Sequence, residues 1–322
     1  MKIIPKFAIA ALVALALPAS AVAAEPALTV PQATLDAAIH CHGPALKGTK
    51  LTPIMLVTGT GASGEDAYAI GKDAFDLYGH PVCDVNFPYN TTANIQTSVQ
   101  YLVNGIRYEY AQSGRKLAVF GISQGGLLPR VALTYWPSLR SKVEDVIAAA
   151  GTQHGTTVFT AAACILRNGC PPAAWQQAAG SNFQKELAKY PDETPGSTSW
   201  TTVRSLSDET VKPQGGAHPT SSLKGATNIL IQDVCKGRTT KHIQTALDSV
   251  TFAAIKDAIE HKGPAKVSRF PKNTCSHPFA DGLDAASTWV TLGVANQLTA
   301  SNGTSMPSVL SDPLWVPSWN IS

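Results

Sequence analysis

An α/β fold built on a mostly parallel, doubly wound sheet with helices on both faces is what this 322-residue sequence predicts. Two observations carry that expectation. Short apolar runs of the kind found in strands buried on both faces alternate along the chain with longer segments of helical spacing. One of those runs, Leu117 to Gly121, stops at Gly121-Ile122-Ser123-Gln124-Gly125, where two glycines flank a serine at the spacing that suits a strand reversing sharply into a helix. A side chain at either glycine would collide with the neighbouring chain, and the serine is pushed out of the turn.

The strands are expected at Ile54 to Val57, Val82 to Phe87, Leu117 to Gly121, Val146 to Ala150, Val203 to Ser207 and Ile229 to Val234. Helical spacing occupies Asp66 to Tyr78, Asn94 to Gln112, Gln124 to Trp136 and His242 to His261. The last of these carries an apolar stripe of Ala246, Val250, Ala253, Ala254, Ile255 and Ala258. Ligands of such sheets bind beyond the carboxyl ends of the strands, so the chemistry is expected just after strands.

Met1 to Lys6 carry two lysines, Phe7 to Pro18 are almost all apolar, and Ala21-Val22-Ala23-Ala24 offers small residues for a peptidase. Residues 1–24 therefore read as a secretory signal; the apolar run is about 12 residues, short of the ~20 that cross a bilayer, and no later segment comes close. Removing Lys2 and Lys6 from the 25 basic residues leaves 23, against 22 acidic ones. This balance gives no electrostatic argument for nucleic acid. With 44% hydrophobic residues, positions 25–322 can bury a large core, and a single domain is the simplest organisation. The six cysteines, in a chain expected outside the cell or in a bacterial periplasm, read as disulfides. The sequence leaves the connectivity open; proximity suggests Cys41 with Cys83, Cys164 with Cys170, and Cys235 with Cys275. His40-Cys41-His42 raises zinc as a rival, but no CxxC pair supports it and no metal or organic cofactor is expected.

A serine hydroxyl needs a base to take its proton and a carboxylate to hold that base in the right tautomer. His218, His242, His261 and His277 follow Ser123 as possible bases. His242 is best placed, in the polar loop Cys235 to His242 between the last expected strand and a helix; His218 sits in a turn, and His261 ends a helix where a cation suits the dipole. For the acid, Asp208 emerges at the tip of the run Thr201 to Asp208, with Glu209 expected to point elsewhere and Asp233 the main rival. Oxyanion donors are expected from the backbone N–H of Gln124 and from Thr60 in the glycine-rich stretch Ile54 to Gly64. A nucleotide-binding loop is the other reading of Gly59, Gly61 and Gly64. It fails because Asp84 lies inside the next strand, so no acidic residue completes a ribose site.

These stretches resemble a known family: LDAAIHC at 35–41, IMLVTGTG at 54–61, ISQGGL at 122–127, PSLRSKV at 137–143, AWQQAAGS at 174–181 and SLSDETVKPQ at 205–214 are similar to the Candida antarctica lipase B-like family of secreted α/β-hydrolases. The resemblance runs from about Leu35 to about Cys275. It implies the α/β-hydrolase fold, Ser123 as nucleophile, Asp208 as acid and His242 as base, with Thr60 and Gln124 as the oxyanion hole. The pairs Cys41 with Cys83 and Cys235 with Cys275 match family bridges, whereas Cys164 with Cys170 has no counterpart and the family's C-terminal bridge has no cysteines here. The family's tryptophan before the nucleophile is Ile122, which implies a larger pocket.

Residues 156–200 fall where the family carries mobile helices around its entrance. They are expected to form a lid or pocket rim, with Val158, Phe159, Ile165 and Leu166 joining Ile122 as substrate-pocket residues; a buried helix is the alternative. Trp315 and Trp319 either meet a lipid surface or cap a core. The expected function is a secreted, monomeric lipase or esterase acting on triacylglycerol or similar lipid esters through an acyl-enzyme. The alternatives are an acyltransferase or a polyester-degrading esterase on the same triad, or a secreted lipid-binding protein without turnover. Sequons stand at Asn90, Asn302 and Asn320.

Overall fold

The structure is a computed structural model that describes residues 25–292, 305–316 and 319. The expected signal segment at residues 1–24 and the sequons at Asn302 and Asn320 lie outside the described residues. The first half of the chain runs α1 (Gln32–Ala37), β1 (Ile39–His42), β2 (Ile54–Val57), α2 (Gly64–Tyr78), β3 (Val82–Val85), α3 (Ile95–Ser113), β4 (Leu117–Ile122), α4 (Gln124–Tyr135) and β5 (Val143–Ala149). It continues with α5 (Ala161–Leu166), α6 (Pro172–Gln176), α7 (Asn182–Leu187), β6 (Ser199–Arg204), β7 (Thr227–Leu230), α8 (Ile231–Val234), α9 (Gln244–Leu247) and α10 (Ser249–Glu260). The strands form one sheet in the order β1-β3-β2-β4-β5-β6-β7. All neighbours are parallel except β1, which runs antiparallel to β3 at the edge.

Side chains alternate across a strand, so each buried strand feeds two apolar layers. In β2, Met55 and Val57 face the layer formed with α3 and α4, while Ile54 and Leu56 face the layer that holds Tyr68, Phe75, Phe252 and Ile255 of α2 and α10. The long helices start and stop on residues suited to the task. Ser63 Oγ accepts from the Asp66 N–H at 3.0 Å ahead of α2, Asn94 Oδ1 accepts from the Gln96 N–H at 2.8 Å ahead of α3, and Gly79 and Gly114 end them at φ 66°.

β2 has the expected bounds, the other expected strands are present with shifted ends, β6 and β7 keeping only two of the expected residues each, and β1 is an addition. Ile39-His40-Cys41-His42 has no apolar run to announce it; Cys41 lies opposite Cys83 in the register and is bonded to it. That bond removes Cys41 as a thiolate, and with it the zinc reading of His40-Cys41-His42. β6 ends at Arg204, so Asp208 lies four residues past the strand. β7 ends at Leu230, and residues 231–234 coil into α8, carrying Asp233 out of the sheet. The helix expected across 242–261 is two, because Asp248 is extended (φ −61°, ψ 141°) and its carboxylate caps α10 by accepting from the Val250 N–H at 2.9 Å. Between β5 and β6 the chain carries α5 to α7, and the stretch expected to run to residue 200 gives way to the sheet at Ser199. Trp315 and Trp319 pack on Tyr135, at ring separations of 5.3 and 5.4 Å, and Trp319 meets Trp136 edge-on at 4.9 Å. They close the core over α4 and are no lipid-facing pair. No helix among the described residues is long and apolar enough to cross a membrane.

Candidate active site

Ser123 sits between β4 and α4 at φ 59° and ψ −124°, a backbone conformation that L-residues rarely adopt. The flanking glycines make the turn possible. A Cβ on Gly121 would run into the carbonyl of Gly125, and one on Gly125 would run into the carbonyls of Val57, at the end of β2, and of Thr58 just beyond it. The Ser123 N–H donates to the Ala149 carbonyl at 2.9 Å, tying the turn to the end of β5, and the Gly126 N–H donates back to the Ser123 carbonyl at 2.9 Å. The strained turn is thus fixed by sheet and helix together, with the serine at the carboxyl edge of the sheet.

His242 reaches the same edge from the loop between α8 and α9. Its Nδ1 lies 2.9 Å from Asp208 Oδ2, and both side chains are buried. The other carboxylate oxygen, Oδ1, accepts from the backbone N–H groups of Thr210 and Val211, each at 2.8 Å. A carboxylate held by two amides on one oxygen presents the other to the imidazole and sets which ring nitrogen carries the proton. Glu209 does not point elsewhere: its Oε2 accepts from the His242 N–H at 3.1 Å, and the side chain lines the same cavity as Ser123 and His242. The His242 loop is anchored in turn by Arg238, which donates to Asp248, Ser249 and the carbonyls of Cys275 and His277 at 2.7 to 3.0 Å. The Cys235–Cys275 bond ties the same two segments. His218, His261 and His277 lie away from Ser123. His261 Nδ1 meets the Asp257 carbonyl at 3.0 Å, His277 Nε2 pairs with Asp281 at 3.2 Å, and His218 lines a separate groove.

Thr60 and Gln124 meet directly, the Thr60 hydroxyl donating to Gln124 Oε1 at 2.7 Å. A third residue, to which the sequence reading gave no role, holds both. Gln177 Nε2 donates to Thr60 Oγ1 at 2.9 Å and to Gln124 Oε1 at 3.2 Å, while its own Oε1 accepts from the Thr152 hydroxyl at 3.1 Å. Gln177 is buried, in the turn that follows α6, and the stretch AWQQAAGS around it was the only signal that could have singled it out. On the other flank, Gly59 leaves room for Ser123, since a Cβ there would sit 3.0 Å from the serine Cβ.

Ser123, His242 and Thr60 open on one cavity of about 330 Å³. Its walls are Ala67 and Ile70 of α2, Ile122, and Ala246 and Leu247 of α9, and its depth is formed by Leu56, Phe75 and Phe120. Ile122 and Phe159 line it; Val158, Ile165 and Leu166 do not. Ile165 is 63% and Leu166 86% exposed, so the buried-helix alternative fails as well. The reason is local. α5 is a turn and a half tied by Cys164–Cys170, and it turns Cys164 toward Ala174 and Trp175, which leaves the next two side chains outward.

No protein-family model matches the chain. Over 215 residues it is 33% identical to Lipase B of Pseudozyma antarctica, an alignment covering 66% of this chain and 62% of that relative, so the chain spans a little under two thirds of the relative's length. The crystal structure of Aspergillus fumigatus lipase B superposes with a TM-score of 0.83 at 26% identity, covering 92% of this chain and 73% of that one. Bacillus licheniformis lipase BlEst2 in its propeptide form gives a TM-score of 0.53 at 18% identity, covering 71% of this chain and 54% of that one, a likeness of fold alone.

Proposed function

We propose that the chain, which is similar to the lipase B proteins over most of its length, is a secreted serine lipase or esterase of the α/β-hydrolase fold that cleaves carboxylic esters through an acyl-enzyme. The observation that carries this reading is the convergence of Ser123, on its strained turn, and the His242–Asp208 pair on one mainly apolar cavity. In this mechanism His242 Nε2 takes the Ser123 proton as Oγ attacks the ester carbonyl. Asp208 steadies the imidazolium that forms, and the backbone N–H groups of Thr60 and Gln124 receive the oxyanion. The imidazolium then protonates the departing alcohol. Water follows the same path, giving its proton to His242 as the acid is released and Ser123 is restored.

The Thr60 hydroxyl donates to Gln124 in the resting site, so its use on the oxyanion requires it to turn away from that amide. Ile122 and Phe159 contribute to the substrate cavity, and the exposed Val158, Ile165 and Leu166 form an outer rim that meets the lipid surface from which the ester comes. Three disulfides fit an oxidising compartment outside the cytosol. Ser123→Ala is expected to abolish hydrolysis of p-nitrophenyl butyrate and labelling by a fluorophosphonate while leaving the circular dichroism spectrum unchanged. A variant that kept most of its turnover would remove Ser123 from the role.

A further inference from the structure

The cavity at Ser123 ends on aromatic rings, and a second cavity lies behind them. Phe75 and Phe120 line the first, while Tyr78 and Phe252 line the second, which encloses about 370 Å³ and opens between the end of α2 and α10, with Lys256 and His277 at its wall. The rings touch across the partition. Phe75 and Phe252 stand 5.3 Å apart, Phe120 and Phe252 6.3 Å, and Tyr78 and Phe252 5.7 Å, all at tilted or edge-on angles. Phe75 and Phe252 are both buried, so the wall is two rings thick and closed.

The position of Phe75 depends on the residue one helical turn before it. A Cβ on Gly71 would lie 2.9 Å from Phe75 Cε2 and 3.6 Å from a Leu247 methyl, so the ring rests on bare backbone of α2. Phe252, which does not line the Ser123 cavity, backs the ring at 5.3 Å, so a ring pressed by a Cβ at residue 71 has that cavity as the open space beside it.

We propose that Phe75, backed by Phe252 and seated on Gly71, is the residue that limits how far an apolar arm of the ester can enter, an inference that rests on the hydrolase reading above. A space of about 330 Å³, at roughly 30 Å³ per non-hydrogen atom as in liquid water, holds an arm of about ten such atoms. The substrates it favours are esters with a medium alkyl or a single-ring aryl arm. Longer chains meet Phe75, and the second cavity is the space into which they would extend once the ring is gone.

The test uses the whole chain with two ester series, p-nitrophenyl esters from acetate to palmitate and butyrates of alcohols from methanol to hexadecanol. Each kcat/KM is divided by that variant's own value for the shortest member. Phe75→Ala is expected to raise the ratio for arms of 12 to 16 carbons about tenfold in one of the two series, and Phe75→Leu to move it the same way by less. Gly71→Ala is expected to move the optimum in that series toward shorter arms. Should Phe75→Ala fail to fold, the opposite shifts of Phe75→Leu and Gly71→Ala carry the result. An active wild type whose profile in both series is unaltered by all folded variants overturns the inference alone, whereas a wild type inert toward both series overturns the hydrolase reading and the inference with it.

Discussion

Gln177 spends one amide on two neighbours, holding Thr60 and Gln124 at 2.9 and 3.2 Å from a single Nε2. Gln124 begins the helix after the serine, whereas Thr60 lies on a loop whose glycines resist little, so the amide fixes the looser partner against the firmer one. Removing it costs these two hydrogen bonds, of about 1 kcal/mol each, along with those to the Thr152 hydroxyl and the Ala173 carbonyl, and the loss falls on geometry and not on substrate affinity. Gln177→Ala is therefore expected to lower kcat on a short p-nitrophenyl ester about tenfold, at about 1.4 kcal/mol per decade, with KM changed by less than twofold. A variant with full kcat would mean that the amide positions nothing. The stretch AWQQAAGS points to the neighbourhood of Gln177 but not to this task, because a buried glutamine reads like any other until its partners, 53 and 117 residues away, are in view.

Among the strands, β5 carries an acid where a sheet facing helices on both sides has little to offer it. Asp145 is buried, and burial, with Glu144 beside it as the lesser cause, pushes its carboxyl up to about 8. The raised value means that the folded chain keeps a proton the unfolded chain gives up near pH 4. The associated stability is full below that pH and is lost as pH rises toward 8. Glu109, wholly buried on α3, is pushed the same way by burial alone. Asp145→Asn is expected to flatten the fall in Tm between pH 5 and pH 9 without removing it, since the carboxyl of Glu109 is raised by burial too. Parallel Tm curves for the two proteins would show that Asp145 does not bear the penalty. The burial of β5 was legible from Val146 to Ala150 in the sequence. Its first three residues were not, because Val143-Glu144-Asp145 carries two acids where an apolar run is the signal, and only pairing with β4 makes it strand.

Across the whole molecule, two of the three disulfides close long loops and one closes a short one, with separations of 42, 40 and 6 residues. In the chain-entropy account the long loops contribute about 4 kcal/mol each and the short one about 2. Cys235–Cys275 also clamps the loop that delivers His242, through the same segment that Arg238 binds. Replacing Cys235 and Cys275 by serine is expected to lower Tm by about 10 °C, at about 2 to 4 °C per kcal/mol for a chain of this size. Replacing Cys164 and Cys170 is expected to lower it by no more than about half as much. Equal shifts in differential scanning calorimetry would show that loop length is not what sets the contribution.

What the sequence by itself determined is local or periodic. The alternation of apolar runs with helical stretches announces a parallel sheet, the glycines around Ser123 announce a turn no other residue could make, and proximity along the chain suggests, without fixing, the cysteine pairs that are bonded. What only the tertiary structure decided is which distant groups meet. Asp208 and not Asp233 reaches His242, because β7 ends one turn before Asp233 and the loop after β6 bends over the sheet edge. The cavity is walled by α2 and α9 and not by the apolar face of α5, because a disulfide turns that face outward. A strand or a tight turn is dictated by forces between neighbours along the chain, whereas a site is assembled by the packing of elements that the chain order does not rank.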